Sequence, residues 1–470
     1  MDGRSVLLAA PLGSSRISPE RGVGPEPAGV LSRPHHFATA VFRLEIDEGT
    51  AVFDLEKQTY RFHVRAILFE GIFGGLMWST GEIARKALGV DTLLLTLIVM
   101  APAVSMGSVL FFGGWISRTG PRRLLRRAAT LGRLPLALVG LLLVPGIGEW
   151  ARTEQGQQLV PWFFLVLVTI SSLATVPITS AWNGVLRSNY TDEQRGSLFG
   201  LAQRWGSLSS GVCTLGAGIW LHYQNEAFPW IYLVAALSGW LACHIFAQVP
   251  LRDRDVATGD TPKINSAQAL WRILAKDRKF LRYEIGFVLY GIGFMALITA
   301  KPIWSVDAQF LHLSWPVLLG SKGVISFVMI LLTPYFGRTL DRIGPGWLSA
   351  GCFLGLALYA LLLSLATSPT DFIVAEVVFG IAMSGVILAW NVGPLSFAPE
   401  NQGREYMAVH IALVCVRGLI GHPIGGIVAE TTGDPRYVFG FSLVCWIIAS
   451  VVMLSLGKGA PRREVVSPQA

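Results

Sequence analysis

The sequence has little charge. Only 14% of its 470 residues are Asp, Glu, Lys or Arg, 52% are hydrophobic, and the mean hydropathy is +0.53. A water-soluble chain of this length needs more charge to cover its surface, so a soluble two-domain protein is excluded and a polytopic membrane protein is indicated. Cysteine is scarce as well. Cys213, Cys243, Cys352, Cys415 and Cys445 all fall inside apolar runs with no CxxC pair or metal-ligand spacing. That excludes a disulfide framework and a cysteine metal site, and the five read as small buried hydrophobes. No nucleophile elbow, zinc-binding histidine pair or phosphate loop is present, and the loops are too short for a catalytic domain. The expectation is a protein that is not an enzyme, with no cofactor and no metal. The net charge of +8 sits in short segments between apolar runs, which reads as membrane orientation and not as nucleic-acid binding.

What is present is a long succession of apolar runs. Residues 1–36, rich in Gly, Pro, Ser and Arg, read as a disordered cytoplasmic tail; the apolar stretch Val6 to Leu12 is broken by Pro11 and is not a signal peptide. Residues 37–61 form a short mixed segment in which Phe42, Leu44 and Ile46 alternate with charges, suiting either a strand or a surface-lying stretch. Residues 62–250 then hold six runs of the length that crosses a bilayer: Phe62–Ala84, Thr92–Ile116, Arg127–Gly148, Pro161–Asn183, Gly196–His222 and Phe228–Pro250. A charged linker follows over 251–280, in which Ala269, Leu270, Trp271, Ile273 and Leu274 beside Arg272, Lys276 and Arg278 predict an interfacial helix. Residues 281–457 hold six more runs: Leu281–Pro302, Leu313–Phe336, Gly346–Ala366, Phe372–Asn391, Tyr406–Ala429 and Tyr437–Leu456. Residues 458–470 are a cytoplasmic tail. These runs are numbered as spans 1 to 12.

The two sets of six resemble each other internally. Gly113-Gly114-Trp115-Ile116-Ser117-Arg118-Thr119-Gly120-Pro121 closes span 2, and Gly337-Arg338-Thr339-Leu340-Asp341-Arg342-Ile343-Gly344-Pro345 closes span 8. Trp182-Asn183 ends span 4 where Trp390-Asn391 ends span 10; both tryptophans are expected to be interfacial anchors. Matching positions in the same order predict an all-α fold of twelve transmembrane helices in two six-helix repeats. Arg and Lys crowd the connections after spans 2, 4, 6, 8 and 10, whereas the opposite connections hold only Arg85, Lys86, Arg152, Lys301 and Arg436. Both termini are therefore expected in the cytoplasm, in a plasma (inner) membrane.

Twelve spans in two repeats, with Gly-x-x-x-Asp-Arg-x-Gly complete after span 8, resemble the major facilitator superfamily of secondary transporters over about residues 60 to 457. The resemblance implies a carrier in the lipid bilayer that moves a small-molecule substrate by alternating access; a monomer, with protons as a coupling partner, is expected. It also implies gating by the two turns: Ser117, Arg118 and Gly120 in the first, and Asp341, Arg342 and Gly344 in the second. Asp341 is expected to face the start of span 5 near Arg195 to Ser197, where a carboxylate is stabilised by the helix N-terminus. Ser117 brings no charge, so the gate is expected to be asymmetric. The alternative is a transporter-like receptor or assembly protein without transport.

Charges inside spans are costly and so need a partner or a water-filled cavity. Five stand out: Glu70, Arg204, Lys322, Glu376 and Arg417. Glu70 and Arg204 lie at one depth and are expected to pair. Lys322, Glu376 and Arg417 lie at another, with an excess positive charge that suits an anionic substrate group, or a carboxylate exchanging a proton for a cation. Glu70 and Glu376 are the candidates for proton coupling, because desolvation favours a neutral carboxyl. Tyr290, Trp304 and Trp78 are read as lining the route, and Gly421 to Gly426 as close helix packing with a bend.

Overall fold

The computed structural model describes residues 54–108, 119–251, 267–399 and 402–457. The expectations for residues 1–53, for Ser117 and Arg118, for most of the linker and for residues 458–470 lie outside these. Among the described residues the regular structure is helical, without strands.

Span 1 is Asp54–Trp78, continued past a break at Ser79 by Thr80–Ala87. Span 2 is Thr92–Met106, started by Asp91, whose carboxylate accepts the Leu94 N–H at 2.7 Å. Span 3 is composite: Pro121–Ala128, a π turn over Ala129–Arg133, and a 3-10 stretch over Leu134–Leu143. Pro135 accounts for this, since it has no N–H for the carbonyl a turn earlier and its ring crowds that carbonyl. Spans 4, 5 and 6 are Glu154–Asn189, Asp192–Tyr223 and Phe228–Phe246.

The linker ends in a helix, Ala267–Lys276, whose Leu274 is buried beside Phe280, Tyr406 and Val409 while Trp271 is exposed. Span 7, Arg278–Val306, is capped by Asp277 and runs through Pro302. Spans 8 and 9 share the helix Trp315–Leu365, broken at Gly344 (φ 79°, ψ 167°), a left-handed backbone that only glycine adopts at low cost. Span 10, Pro369–Val392, opens on a capping box of Ser368 and Asp371. Spans 11 and 12 are Gly403–Thr432 and Arg436–Leu454. Among the described residues, seven helices are individually long and apolar enough to cross a bilayer. Span 1 packs against spans 5 and 6, and span 2 against spans 4 and 11.

The face carrying the basic turns is called the basic face. Small residues set the close helix contacts. A methyl on Gly71 would lie 2.1 Å from the Gly206 carbonyl, and one on Gly425 would lie 2.3 Å from that of Ala296. The glycines of the Gly421–Gly426 string thus pack span 11 against spans 7 and 2, as expected. The two repeats meet through spans 2 and 11, where Gly418 abuts Ala103 and Gly426 abuts Thr96, and through spans 5 and 8, where Gly211 abuts Gly323 and Gly218 abuts Trp315.

Two aromatic expectations need correction. Trp182 is no interfacial anchor: it is buried, stacked on Phe246 at 3.8 Å beside a buried His63. Trp304 is 1% exposed and belongs to the second repeat's core instead of lining a route.

Candidate functional site

Among the described residues, buried ion pairs occupy the body of the fold, and that of Glu82 with Lys322 crosses between the repeats. Glu82, at the far end of span 1, accepts from Lys322 Nζ of span 8 at 2.7 Å, with both side chains 5% exposed. Beside it Lys301 of span 7 pairs with Glu376 of span 10 at 2.6 Å, and the Tyr359 hydroxyl donates to the same carboxylate at 3.1 Å. Each lysine lies in the field of both carboxylates and of the other lysine. The rings of Trp78, Phe372 and Phe379 surround the ammonium groups. Two cations and two carboxylates out of water hold together only because every charge has a partner.

Further polar contacts join the repeats at this same face, opposite the basic one. Arg85 holds Asp307 by a two-pronged fork at 2.8 and 2.6 Å, Lys86 donates to the Leu313 carbonyl, and Trp315 donates to Asn225 at 2.8 Å. A depression of about 770 Å³ lies outside this clasp, edged by Lys86, Arg152, His222, Glu226, His312 and Trp315.

Toward the basic face the repeats part. Gly218, Gly211, Arg204, Gly200 and Ser197 follow at steps of seven, seven, four and three, so they share one face of span 5. That face touches span 8 at Gly218 and Gly211. Below them Arg204 is exposed, and a methyl on Gly200 would meet nothing within 4 Å. Span 1 repeats the pattern. Its Gly81 abuts Pro302 of span 7, whereas on the same face Gly74 meets nothing within 4 Å and the Glu70 side chain is 28% exposed. On both spans, then, the face that meets the other repeat at Gly81, Gly211 and Gly218 is bare nearer the basic face, at Gly74 and Gly200.

Glu70 does not pair with Arg204. Its partner is Arg133, whose guanidinium donates to both carboxylate oxygens at 2.5 and 2.7 Å and to the Gly239 carbonyl at 3.1 Å, over the Phe73 ring. Arg133 sits where the π turn ends, which turns its side chain inward between spans 1 and 6. The expected excess of positive charge is also absent: Lys322 is matched by Glu82, and Glu376 by Lys301. Arg417 belongs to a third group, 3.6 Å from Glu284 of span 7, while His410 Nδ1 lies 2.8 Å from the same carboxylate. Tyr290 packs flat on Phe353 at 4.8 Å within the second repeat.

Sequence reading thus missed Arg133, Lys301, Glu82 and Glu284. Arg133 follows the basic turn closely enough to read as part of it, and Lys301 stands beside Pro302, where the apolar run of span 7 ends. Of the gating residues, Ser117 and Arg118 lie outside the described residues, and Gly120 (φ −58°) precedes Pro121, the first residue of span 3. Asp341 and Arg342 are exposed, and Gly344 makes the break before span 9. Asp341 lies five turns from Gly323 on the face of span 8 that meets span 5.

A twelve-helix body in two repeats, joined at one face and parted at the other, defines a polytopic membrane protein of the transporter architecture. A sequence profile of the Major Facilitator Superfamily matches residues 66–421, and the chain belongs to that superfamily. It is 22% identical over 303 residues to the proton-coupled antiporter flippase LtaA of Staphylococcus epidermidis, covering 62% of this chain and 72% of that one. It is 34% identical over 157 residues to the MFS-type transporter TOXA of Cochliobolus carbonum, covering 33% of this chain but only 26% of the relative. The match to the staphyloferrin B transporter of Staphylococcus aureus, 23% identical over 166 residues, covers 35% of this chain and 40% of that relative. A variant of the nucleoside transporter NupG superposes with TM-score 0.65 at 13% identity over 86% of this chain and 100% of that chain. The E. coli fucose:proton symporter FucP does so with TM-score 0.55 at 12% identity over 85% and 98%. At these identities the structural likeness shows the fold alone.

Proposed function

We propose that this protein is a secondary active carrier that moves a small solute by alternating access, with proton coupling through its buried carboxylates. The observation that carries the reading is the asymmetry of the contact between the repeats: an ionic clasp at one face, and bare, partly charged helix faces at the other. The moving bodies are residues 62–250 and 281–457, and the basic face is cytoplasmic, so the conformation is one open to the cytoplasm. Closing spans 5 and 8 along the register set by Gly211 and Gly323 brings Asp341 to the start of span 5, where it forms the charged half of the cytoplasmic gate. At the other end, opening requires Glu82 and Lys322 to separate.

Protonating Glu82 or Glu376 removes one charge from the four-charge group and weakens its hold across the repeats, so proton binding and opening are linked. Proton coupling in the names of LtaA and FucP is consistent with this reading. The test is flux in proteoliposomes with an imposed pH gradient. Gradient-driven solute movement that Glu376→Gln abolishes, with the protein still folded, is expected. Equal movement in Glu376→Gln and Glu82→Gln contradicts the coupling, and binding without any flux favours a receptor.

A further inference from the structure

Glu70 is unlike the buried carboxylates, and the carrier reading places it at the edge of a cavity between the repeats, so its surroundings bear on what that cavity holds. Its side chain is 28% exposed, against at most 5% for Glu82, Glu284 and Glu376. The exposed edge lies on the bare face of span 1, with Gly74 and Met77 above it. Both oxygens already accept from Arg133, which has no route to the cavity at 1% exposure. Each oxygen keeps a second lone pair for a donor arriving from the open side. Eight residues further along stands Trp78, 37% exposed, about 12 Å from Glu70 along the helix axis. Trp78 is the first ring of an aromatic cluster that bridges the repeats. Phe379 of span 10 lies 6.4 Å away, and Phe294 of span 7 stacks on Phe379 at 6.2 Å. Directly behind these rings is the four-charge group, with Lys322 Nζ 5.0 Å from the Trp78 ring.

The cavity therefore has a flat apolar end backed by neutralised charges and an acidic end one ring-plus-chain length away. An ammonium or amidinium at Glu70 gains a charge-assisted hydrogen bond where water is partly excluded, and a planar ring at Trp78 gains stacking area. A carboxylate at Glu70 meets like charge, and one at the aromatic end meets lysines whose charge is already taken. Building on the carrier reading above, we propose that the solute is an organic cation with a planar ring, its basic nitrogen on Glu70 and its ring against Trp78 and the half-buried Phe294, with the buried Phe379 behind them.

The test compares naphthylbutylammonium with naphthylbutanoate, which share a ring and chain but carry opposite charge. Binding to detergent-purified full-length protein is read by tryptophan quenching and thermal shift. The ammonium is expected to bind and the carboxylate to bind at least about tenfold more weakly, while Trp78→Ala weakens the ammonium by about tenfold. Because Glu70→Gln alone strands Arg133, the charge is removed with Glu70→Gln and Arg133→Gln together, which should abolish the preference for the ammonium. Equal or tighter binding of the carboxylate overturns the assignment, as does binding of neither probe, or an unchanged preference in the double variant. Gradient-driven flux of any solute is measured separately, so the substrate class can fail while the carrier reading stands.

Discussion

The Glu70–Arg133 pair and the Lys301–Glu376 pair are ion pairs of similar length, 2.5 and 2.6 Å, yet they differ in how far water reaches them. The first lies inside one repeat, and its carboxylate is 28% exposed. The second lies wholly out of water, with Glu376 at 0% exposure, and shares its field with a pair that crosses between repeats. Solvent reach is the physical difference. A charge that can be hydrated survives the loss of its partner, whereas one without water cannot. The exposed pair is therefore suited to meeting a solute, and the enclosed group to holding or releasing the clasp.

That contrast can be broken by removing the cation from each pair. Lys301→Met leaves Glu376 buried and unpaired, so it should lower unfolding stability by about 3 to 5 kcal/mol. Lys301→Met with Glu376→Met should recover most of that loss without recovering flux. Denaturant unfolding in detergent checks both, and a double variant no more stable than the single one would show that the two do not act as a unit. Arg133→Met should cost less, about 1.5 to 3 kcal/mol, because the Glu70 carboxylate it leaves behind can be hydrated. A loss as large as that of Lys301→Met would mean that Glu70 is sealed from the cavity.

The two basic turns give a smaller comparison of the same kind. Gly344 has φ 79° and Gly120 has φ −58°. Gly344→Ala should therefore destabilise by about 1 to 2 kcal/mol, while Gly120→Ala, whose methyl meets nothing within 4 Å, should be near neutral. Thermal unfolding of the two variants side by side distinguishes them.

The architecture was legible in the sequence for a simple reason: bilayer thickness fixes the length of each apolar run, and duplication repeats the turn signals in order. Gly344-Pro345 announced a break because few other dipeptides end one helix and begin the next so sharply. The pairing of charges was not legible. Arg133 follows Arg126 and Arg127 in the basic stretch, so only the π turn over Ala129–Arg133, just before Pro135, reveals that it faces inward. Lys301 precedes a proline that ends helices in water but is carried inside one here, where neighbouring spans cover the backbone. Glu82 lies two residues from the expected end of span 1, and its partner is on a span of the other repeat, which no local spacing indicates. His410 carried no metal-site neighbours in the sequence; its partner Glu284 comes from span 7, far away in the chain.

The central claim is that the two repeats rock about the cavity, so that one face closes as the other opens. It is tested most directly by distances between spin labels at two pairs of sites in proteoliposomes. Ser197→Cys with Gly337→Cys reports the basic face, and Tyr223→Cys with His312→Cys reports the opposite face, each in a cysteine-free background. When a transported solute and a pH gradient are applied, the first distance should shorten while the second lengthens, each between two discrete populations. A single unchanging distance at both faces, or both changing in the same sense, would contradict the account.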